Sequence, residues 1–256
     1  MRKSDWYTHI WSLNIKNLSW TEDTENQVDF VIKVLELTGK ERILDLACGF
    51  GRHSLSFARR GFSVVGVDIT KAYIDDATNV AQQENLSANF IHSDIRDLNF
   101  DNEFDVVLNL ADGAIGYLEN DEENLKIYDV ISKSLKYGGK HFMDIVNADH
   151  AEKYFPKKTL QAGEKSLSLA QFDWDSTTRC WTYGSWAFEY GKPAEKPNNI
   201  MENGYHFRLY SLMEVDSIWK QRGLNVISSF SNYYGKESTD KELQLIVCSQ
   251  KGNNFR

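Results

Sequence analysis

The stretch Ile43-Leu44-Asp45-Leu46-Ala47-Cys48-Gly49-Phe50-Gly51-Arg52, continued by Val64-Val65-Gly66-Val67-Asp68, decides the fold. It reads as a buried strand, a glycine turn, a helix, a second strand and a terminal carboxylate. Ile43 to Leu46 are an apolar run suited to a strand covered on both faces. Gly49 and Gly51 remove side chains where the backbone must turn sharply and let a ligand approach. Asp68 ends the second strand. In a doubly wound sheet that sets a carboxylate at the C-terminal edge, within reach of a ribose diol. The expected ligand is therefore a nucleoside-bearing cofactor.

A dinucleotide site usually shows G-x-G-x-x-G, its third glycine packing helix against sheet. Here the run is Gly49-Phe50-Gly51-Arg52-His53-Ser54, without a third glycine, and no Walker lysine follows. An acidic residue shortly before Gly-x-Gly, as in Asp45-Leu46-Ala47-Cys48-Gly49-Phe50-Gly51, resembles motif I of the class I S-adenosylmethionine (SAM)-dependent methyltransferases. That cofactor has no pyrophosphate, so the loop need only admit a methionine tail and a ribose. Phe90-Ile91-His92-Ser93-Asp94-Ile95 resembles the third-strand motif of these enzymes, whose adenine-contacting roles fall on Asp94 and Ile95. Phe104 to Asp112 resembles the fourth-strand motif, where the backbone around Asn109 and Leu110 lines the methyl-transfer end. Leu135 to Lys140 resembles the glycine turn before strand five. The resemblance covers residues 24–150. It implies SAM as cofactor, held by Asp45, Ala47, Gly49, Gly51, Arg52, Asp68, Ile69, Asp94, Ile95, Asn109 and Leu110. It also implies an α/β fold: a Rossmann-like, doubly wound, seven-stranded sheet, mostly parallel with the last strand antiparallel.

Within that class, the Cys48–Ser54 loop, Gly116-Tyr117 and an aromatic segment before Arg208-Leu209-Tyr210 resemble the broad bacterial small-molecule group. Asp45 to Gly49 is also similar to glycine N-methyltransferase-like enzymes. No arginine match stands in the first helix, which argues against glycine as substrate. No Asn/Asp-Pro-Pro-Tyr/Phe follows strand four, which weighs against methylation of a nucleobase amine. The paired glutamates of arginine methyltransferases are not apparent. Asp144 and Asn147 fall where catechol-type enzymes carry metal ligands, but polar pairs there are common, and no metal is expected.

The rest of the chain sets bounds. Its 256 residues suffice for one large core with an elaboration. There is no membrane-length apolar run and no signal-peptide stretch after Met1. Three widely spaced cysteines, Cys48, Cys180 and Cys248, fit a reducing cytoplasm. The six histidines show no zinc spacing. The net charge of −8 and the lack of a basic cluster disfavour nucleic acid.

Periodicity predicts a helix from Thr24 to Leu37, strands at 43–46 and 63–67, and a helix at 53–60 between them. Next come a Thr70-capped helix to about Asn85, strands at 88–91 and 104–110, and a helix from Asp121 to Leu135. Gly138-Gly139 is expected to turn the chain into a strand at 140–145. Strand–helix alternation of this kind means a parallel sheet with helices on both faces. The pattern then changes. Leu167–Phe172, Cys180–Tyr183 and Ser185–Tyr190 read as antiparallel strands, with turns at Asp173–Thr178 and Gly191-Lys192-Pro193 and a loop at Lys196-Pro197-Asn198-Asn199. Ser211 with Glu214 forms a capping box for a helix ending at Gly223, and strands near 225–233 and 243–249 finish the sheet. The expected organisation is an N-terminal lid and helix (1–38), a SAM-binding core (39–150), a β-rich cover (151–210) and a C-terminal completion (211–256).

A sulfonium is inherently reactive, so the protein must chiefly align a nucleophile with methyl and sulfur and exclude water. Proton removal needs a His, Asp or Tyr. The candidates are Tyr117, Tyr205 and His206, with Arg208 orienting an anionic substrate group; His206 and Arg208 are expected on one face of a strand. His53 is structural or near the methionine carboxylate. Tyr7 and Trp11 stand where this fold often places a lid and join the cofactor-binding set; Trp6 and Trp20 are further N-terminal aromatics. The function read is methyl transfer to a small-molecule nitrogen or oxygen, with no nucleic-acid or membrane partner. The aromatic insert serves either as a pocket cover or as the interface of a homodimer. The alternatives are a nicotinamide-dependent oxidoreductase and a catalytically silent SAM-binding regulatory module.

Overall fold

The computed structural model describes residues 5–17, 21–162, 166–193 and 205–252. Trp20 and the loop expected at Lys196–Asn199 lie outside the described residues. A seven-stranded sheet has the order β10-β11-β5-β4-β1-β2-β3. Its strands are β1 (Arg42–Leu46), β2 (Ser63–Asp68), β3 (Ala88–His92), β4 (Phe104–Asn109), β5 (Leu135–Val146), β10 (Leu224–Phe230) and β11 (Gln244–Lys251). β1 is parallel to both β2 and β4, and β11 runs antiparallel to both β5 and β10. The doubly wound sheet with an antiparallel last strand is as the sequence implies.

Period-two alternation splits the apolar strand residues between two cores. Leu44, Leu46, Val107 and Met143 face α4 (Asp121–Ser134) and α6 (Leu212–Lys220), packing on Ile127, Ile131 and Trp219. Ile43, Val106, Leu108 and Phe142 face the other way, onto Val28 and Val31 of α1 (Thr24–Val34) and Phe57 of α2 (Arg52–Arg59). Each such side chain contributes about 1.5–3 kcal/mol on burial. α3 (Lys71–Gln83) starts after Thr70, but the Thr70 side chain makes no cap bond. The Thr70 N–H instead donates to Asp68 Oδ1 at 2.8 Å, so the strand-end carboxylate takes over part of the cap's work.

Several details differ from the sequence reading, which also lacks the first strand of the insert, at Lys157–Ala162. β5 begins at Leu135 rather than after the glycines. Gly138, at φ +75°, sits inside a strand whose pairing slips between Phe104↔Leu135 and Val106↔Lys140. α5 (Ala148–Tyr154) was not expected; Asn147 caps it, its side chain accepting from the Asp149 N–H at 3.0 Å. The runs read as strands at 180–183 and 185–190 are one strand, β8 (Cys180–Glu189), continuous through Gly184. β7 (Ser166–Asp175) outlasts its expected end, because Asp173 and Trp174 still pair with Thr182 and Trp181. The turn starts at Asp175, whose carboxylate accepts from the Thr177 N–H.

The insert is a four-stranded antiparallel sheet, β6-β7-β8-β9, with β6 at Lys157–Ala162 and β9 at Tyr205–Arg208. It leaves and rejoins the core at one place: Asn147 and Tyr210 form a parallel bridge, and the Ala148 N–H donates to the Tyr210 carbonyl at 3.2 Å. Its inner face carries Phe172, Trp181, Tyr183, Tyr205 and Phe207, which cluster with Trp6 and Tyr7. Among the described residues no helix is long and apolar enough to cross a membrane.

Candidate functional site

One cavity of about 670 Å³ lies over the C-terminal edge of the sheet, where β1, β2 and β4 end. Ligands of open α/β sheets bind at this edge. Asp45, Ala47, Gly49, Arg52, Asp68, Ile69, Asp94, Ile95 and Leu110 all line it, as do Tyr7, Trp11 and Tyr117. Trp181, Tyr183, Tyr205 and Phe207 of the insert complete the wall.

Asp68 is buried and aimed by backbone donors. Its Oδ2 accepts from the Gly49 N–H at 2.8 Å and its Oδ1 from Thr70. Each oxygen keeps a lone pair for a ribose hydroxyl. Burial pushes its carboxyl up from the usual range, against those bonds. Asp45 is fully buried and accepts from Ser54 Oγ at 2.5 Å; burial pushes it up to about 7. Arg52 donates to Thr24 Oγ1 and to Gln27 Oε1 at 2.8 and 2.7 Å, and Gln27 Oε1 also lies 2.8 Å from His53 Nε2. His53 lines the cavity too, and burial beside Arg52 holds its ring well below the usual histidine range, so it is neutral. These residues fit the set that a SAM nucleoside and its methionine tail require.

Gly51 and Asn109 are corrections, since neither is on the cavity wall. Gly51, at φ +77°, caps α2, and a Cβ there would lie 2.9 Å from the Phe90 ring; it serves the turn and the packing behind it. Asn109 is buried, donating to the Gly113 carbonyl at 2.9 Å and lying 3.1 Å from His141 Nε2. Its side chain shapes the following loop rather than the cofactor surface.

That loop is strained. Ala111, Asp112 and Ala114 have φ of +52°, +70° and +63°, with Gly113 at +51° between them. Left-handed non-glycine residues cost on the order of 1 kcal/mol or more each and persist where surrounding structure over-determines them. Here the Asp112 N–H donates to the Asp144 carbonyl at 2.8 Å, and the Arg208 N–H to the Gly116 carbonyl at 2.8 Å. The loop turns Asp112 into the cavity, where its Oδ2 accepts from the Tyr117 hydroxyl at 3.1 Å. Burial, then the nearby Asp144 charge, pushes the Asp112 carboxyl up to about 7. Burial also pushes the Tyr117 hydroxyl well up, so it keeps its proton and acts as a donor. The sequence reading missed Asp112; its only signal was an acid directly after the fourth strand.

His206 and Arg208 are also corrections, lying off the cavity wall. They share a face of β9, as expected, but Tyr205 and Phe207 occupy the inward one. His206 Nδ1 meets Thr182 Oγ1 at 2.9 Å on the exposed side. The Arg208 guanidinium pairs with Glu214 at 2.6 Å and Asp121 at 3.1 Å and lies over the Tyr210 ring. Glu214 also completes the Ser211 capping box and pairs with Arg179, so this cluster fastens the insert to α6. Asp144 and Asn147 are committed likewise: Asp144 accepts from Tyr233 and Gln244, and Asn147 caps α5. Among the described residues no group of three or more His, Cys, Asp or Glu could hold a metal ion.

The N-terminal segment closes the cavity from above. The Tyr7 hydroxyl donates to Glu119 Oε1 at 2.9 Å, and Arg96 ties the two to Asp94, which it grips with contacts of 2.6–3.1 Å. On the other side the Tyr73 hydroxyl donates to the Ser12 carbonyl at 3.0 Å, and Lys16 pairs with Asp76. Removing the Tyr7 hydroxyl costs about 1 kcal/mol of this closure. Tyr7→Phe is therefore expected to weaken S-adenosylhomocysteine binding roughly five-fold in calorimetry with little change in Tm. Equal affinity would show that the segment does not cover the cofactor.

A family profile described as "Methyltransferase domain" matches residues 43–139. YqeM of Bacillus subtilis (strain 168), which carries a methyltransferase name, is 30% identical over 136 residues, covering 52% of this chain and 53% of that protein. The ubiquinone biosynthesis O-methyltransferase of Rickettsia typhi is 33% identical over 98 residues, covering 37% of this chain and 39% of that one. The chain thus spans about half or less of the length of these curated relatives. A SAM-dependent methyltransferase from Clostridium acetobutylicum superposes with a TM-score of 0.74 at 18% identity, over 94% of this chain and 97% of that chain, which shows a shared fold. With motif I, the cavity-edge carboxylates and the sheet order all in agreement, residues 43–139 are matched as a methyltransferase domain and the chain has the fold of the SAM-dependent methyltransferases.

Proposed function

We propose that the chain transfers a methyl group from SAM to a nitrogen or oxygen nucleophile of a small molecule by in-line displacement. One observation carries the reading. A single continuous cavity is walled at one end by Asp45, Asp68 and Asp94 and at the other by Trp181, Tyr183, Tyr205 and Phe207. Its volume of about 670 Å³ falls within the roughly 300–1,000 Å³ usual for small-molecule sites. The bound cofactor supplies an electrophilic methyl on a sulfonium. The protein's share is orientation, exclusion of water by the N-terminal segment, and a proton acceptor at the loop after β4. The O-methyltransferase name of one relative is compatible with this reading.

Calorimetric titration with SAM, S-adenosylhomocysteine and NADH tests it. Micromolar binding of the two sulfur nucleosides and none of NADH is expected. Release of S-adenosylhomocysteine across a panel of amines, phenols and carboxylates then identifies the acceptor. NADH binding with no response to either sulfur nucleoside refutes the proposal.

A further inference from the structure

The acceptor's chemical class follows from what faces the methyl-transfer end, on the reading that the cavity binds SAM. Among the described residues lining the cavity, Arg52 is the one lysine or arginine, and it is anchored to Thr24 and Gln27 of α1. Among the described residues the substrate end offers no cation. It offers Asp112, held in the cavity by a run of four consecutive left-handed residues, 111–114, and by the Tyr117 hydroxyl. Around it stand aromatic faces. Trp6 packs on Tyr117, Tyr205 and Phe207 at centroid distances of 5.0–5.1 Å, and Tyr117 stacks on Phe207 at 4.7 Å. A carboxylate beside aromatic faces is the chemistry that receives an ammonium on an apolar body. An anionic substrate would meet like charge there.

We propose that the substrate is a primary or secondary amine on a flat apolar body, bound as its ammonium by Asp112 and deprotonated by it before transfer. The ammonium N–H gives its proton to the Asp112 carboxylate. The freed nitrogen lone pair then forms the C–N bond while the methyl–sulfur bond breaks and its electron pair stays on sulfur. The nitrogen ends positively charged, and the Asp112 proton leaves to water once the product departs. The groups facing Asp112 are the Tyr117 hydroxyl, the Val146 backbone, the Asp144 carboxyl behind the loop, and Tyr233 beside Asp144. With its carboxyl up at about 7, Asp112 is protonated in mild acid and then neither holds an ammonium nor accepts its proton. Amine binding should rise as pH rises through that value, until the amine itself deprotonates.

Three probes with one body and different heads test this: tryptamine, tryptophol and indole-3-acetate, titrated calorimetrically into protein saturated with S-adenosylhomocysteine. Tryptamine is expected to bind about ten-fold tighter than tryptophol, and indole-3-acetate weakest. The tryptamine advantage should shrink below neutral pH. Asp112→Asn should erase the advantage and leave S-adenosylhomocysteine affinity unchanged. Tyr117→Phe, which removes only the hydroxyl bonded to the carboxylate, should move the pH midpoint upward. Tryptophol or indole-3-acetate binding as tightly as tryptamine, no tryptamine binding, or an Asp112→Asn protein that keeps the preference overturns the amine assignment alone. Failure of S-adenosylhomocysteine to bind removes the cofactor reading on which the assignment stands.

Discussion

Gly116→Ala is expected to lose about 3–5 kcal/mol of stability. A Cβ at Gly116 would lie 1.8 Å from the Arg208 carbonyl oxygen and 2.9 Å from its carbon. The obstacle is backbone, which cannot swing aside as a flexible side chain can. Overpacking of this kind costs about 1–3 kcal/mol. The φ of +84° adds about 1–2 kcal/mol for any residue with a Cβ. Displacing the loop also strains the hydrogen bond from the Arg208 N–H to the Gly116 carbonyl, worth about 1 kcal/mol. Whole-domain stabilities are about 5–15 kcal/mol, so the loss is a large share. Urea unfolding should show the midpoint falling accordingly, with Tm lower by roughly 10 °C. A midpoint equal to the parent's would mean that β9 does not seat on this loop.

The largest expected effect on binding is at Asp68. Its carboxylate meets two backbone N–H groups at 2.8 Å each, and a ribose hydroxyl would add a charge-assisted bond. Losing one such bond costs about 1.5–3 kcal/mol. Asp68→Ala is therefore expected to weaken S-adenosylhomocysteine binding ten- to a hundred-fold, read by calorimetry on protein shown to be folded by circular dichroism. Asp68→Asn keeps one acceptor oxygen and should fall between. Burial raises this carboxyl, so the grip should be lost as pH falls through its raised value. Unchanged affinity in both variants would place the ribose elsewhere.

The cofactor half was legible in the sequence because its chemistry is local. Asp45, Gly49 and Asp68 lie at element ends that short apolar runs define, and the structure brings those ends to one edge. Strand alternation gave the sheet for the same reason. The half that the proposed function gives to substrate was not legible in the same way, because it depends on which face of a strand points inward. His206 and Arg208 were placed on a common face from spacing alone, yet Tyr205 and Phe207 are the inward pair. The cross-strand pairs Trp181↔Phe207 and Tyr183↔Tyr205 hold the signal that was available: aromatic rings in matching register on two strands of the insert. Asp112 was invisible for another reason. Its role rests on backbone angles that no side-chain pattern announces. Asn147 was read for a metal possibility when its position before Ala148-Asp149 marks a helix start.

The bridge between Asn147 and Tyr210 is a single doorway through which the insert departs and returns. A segment whose two ends already touch asks little of the sheet beneath it, since closing a longer loop costs only about 0.6 kcal/mol per doubling of length. Lineages could lengthen, shorten or replace everything beyond that doorway while the nucleotide half kept its residues. Under the proposed function, such a scaffold is suited to acquiring new acceptors by exchange of the inserted sheet. The toll falls on one joint, where Glu214 must still find its two arginines or the new sheet will not stay closed.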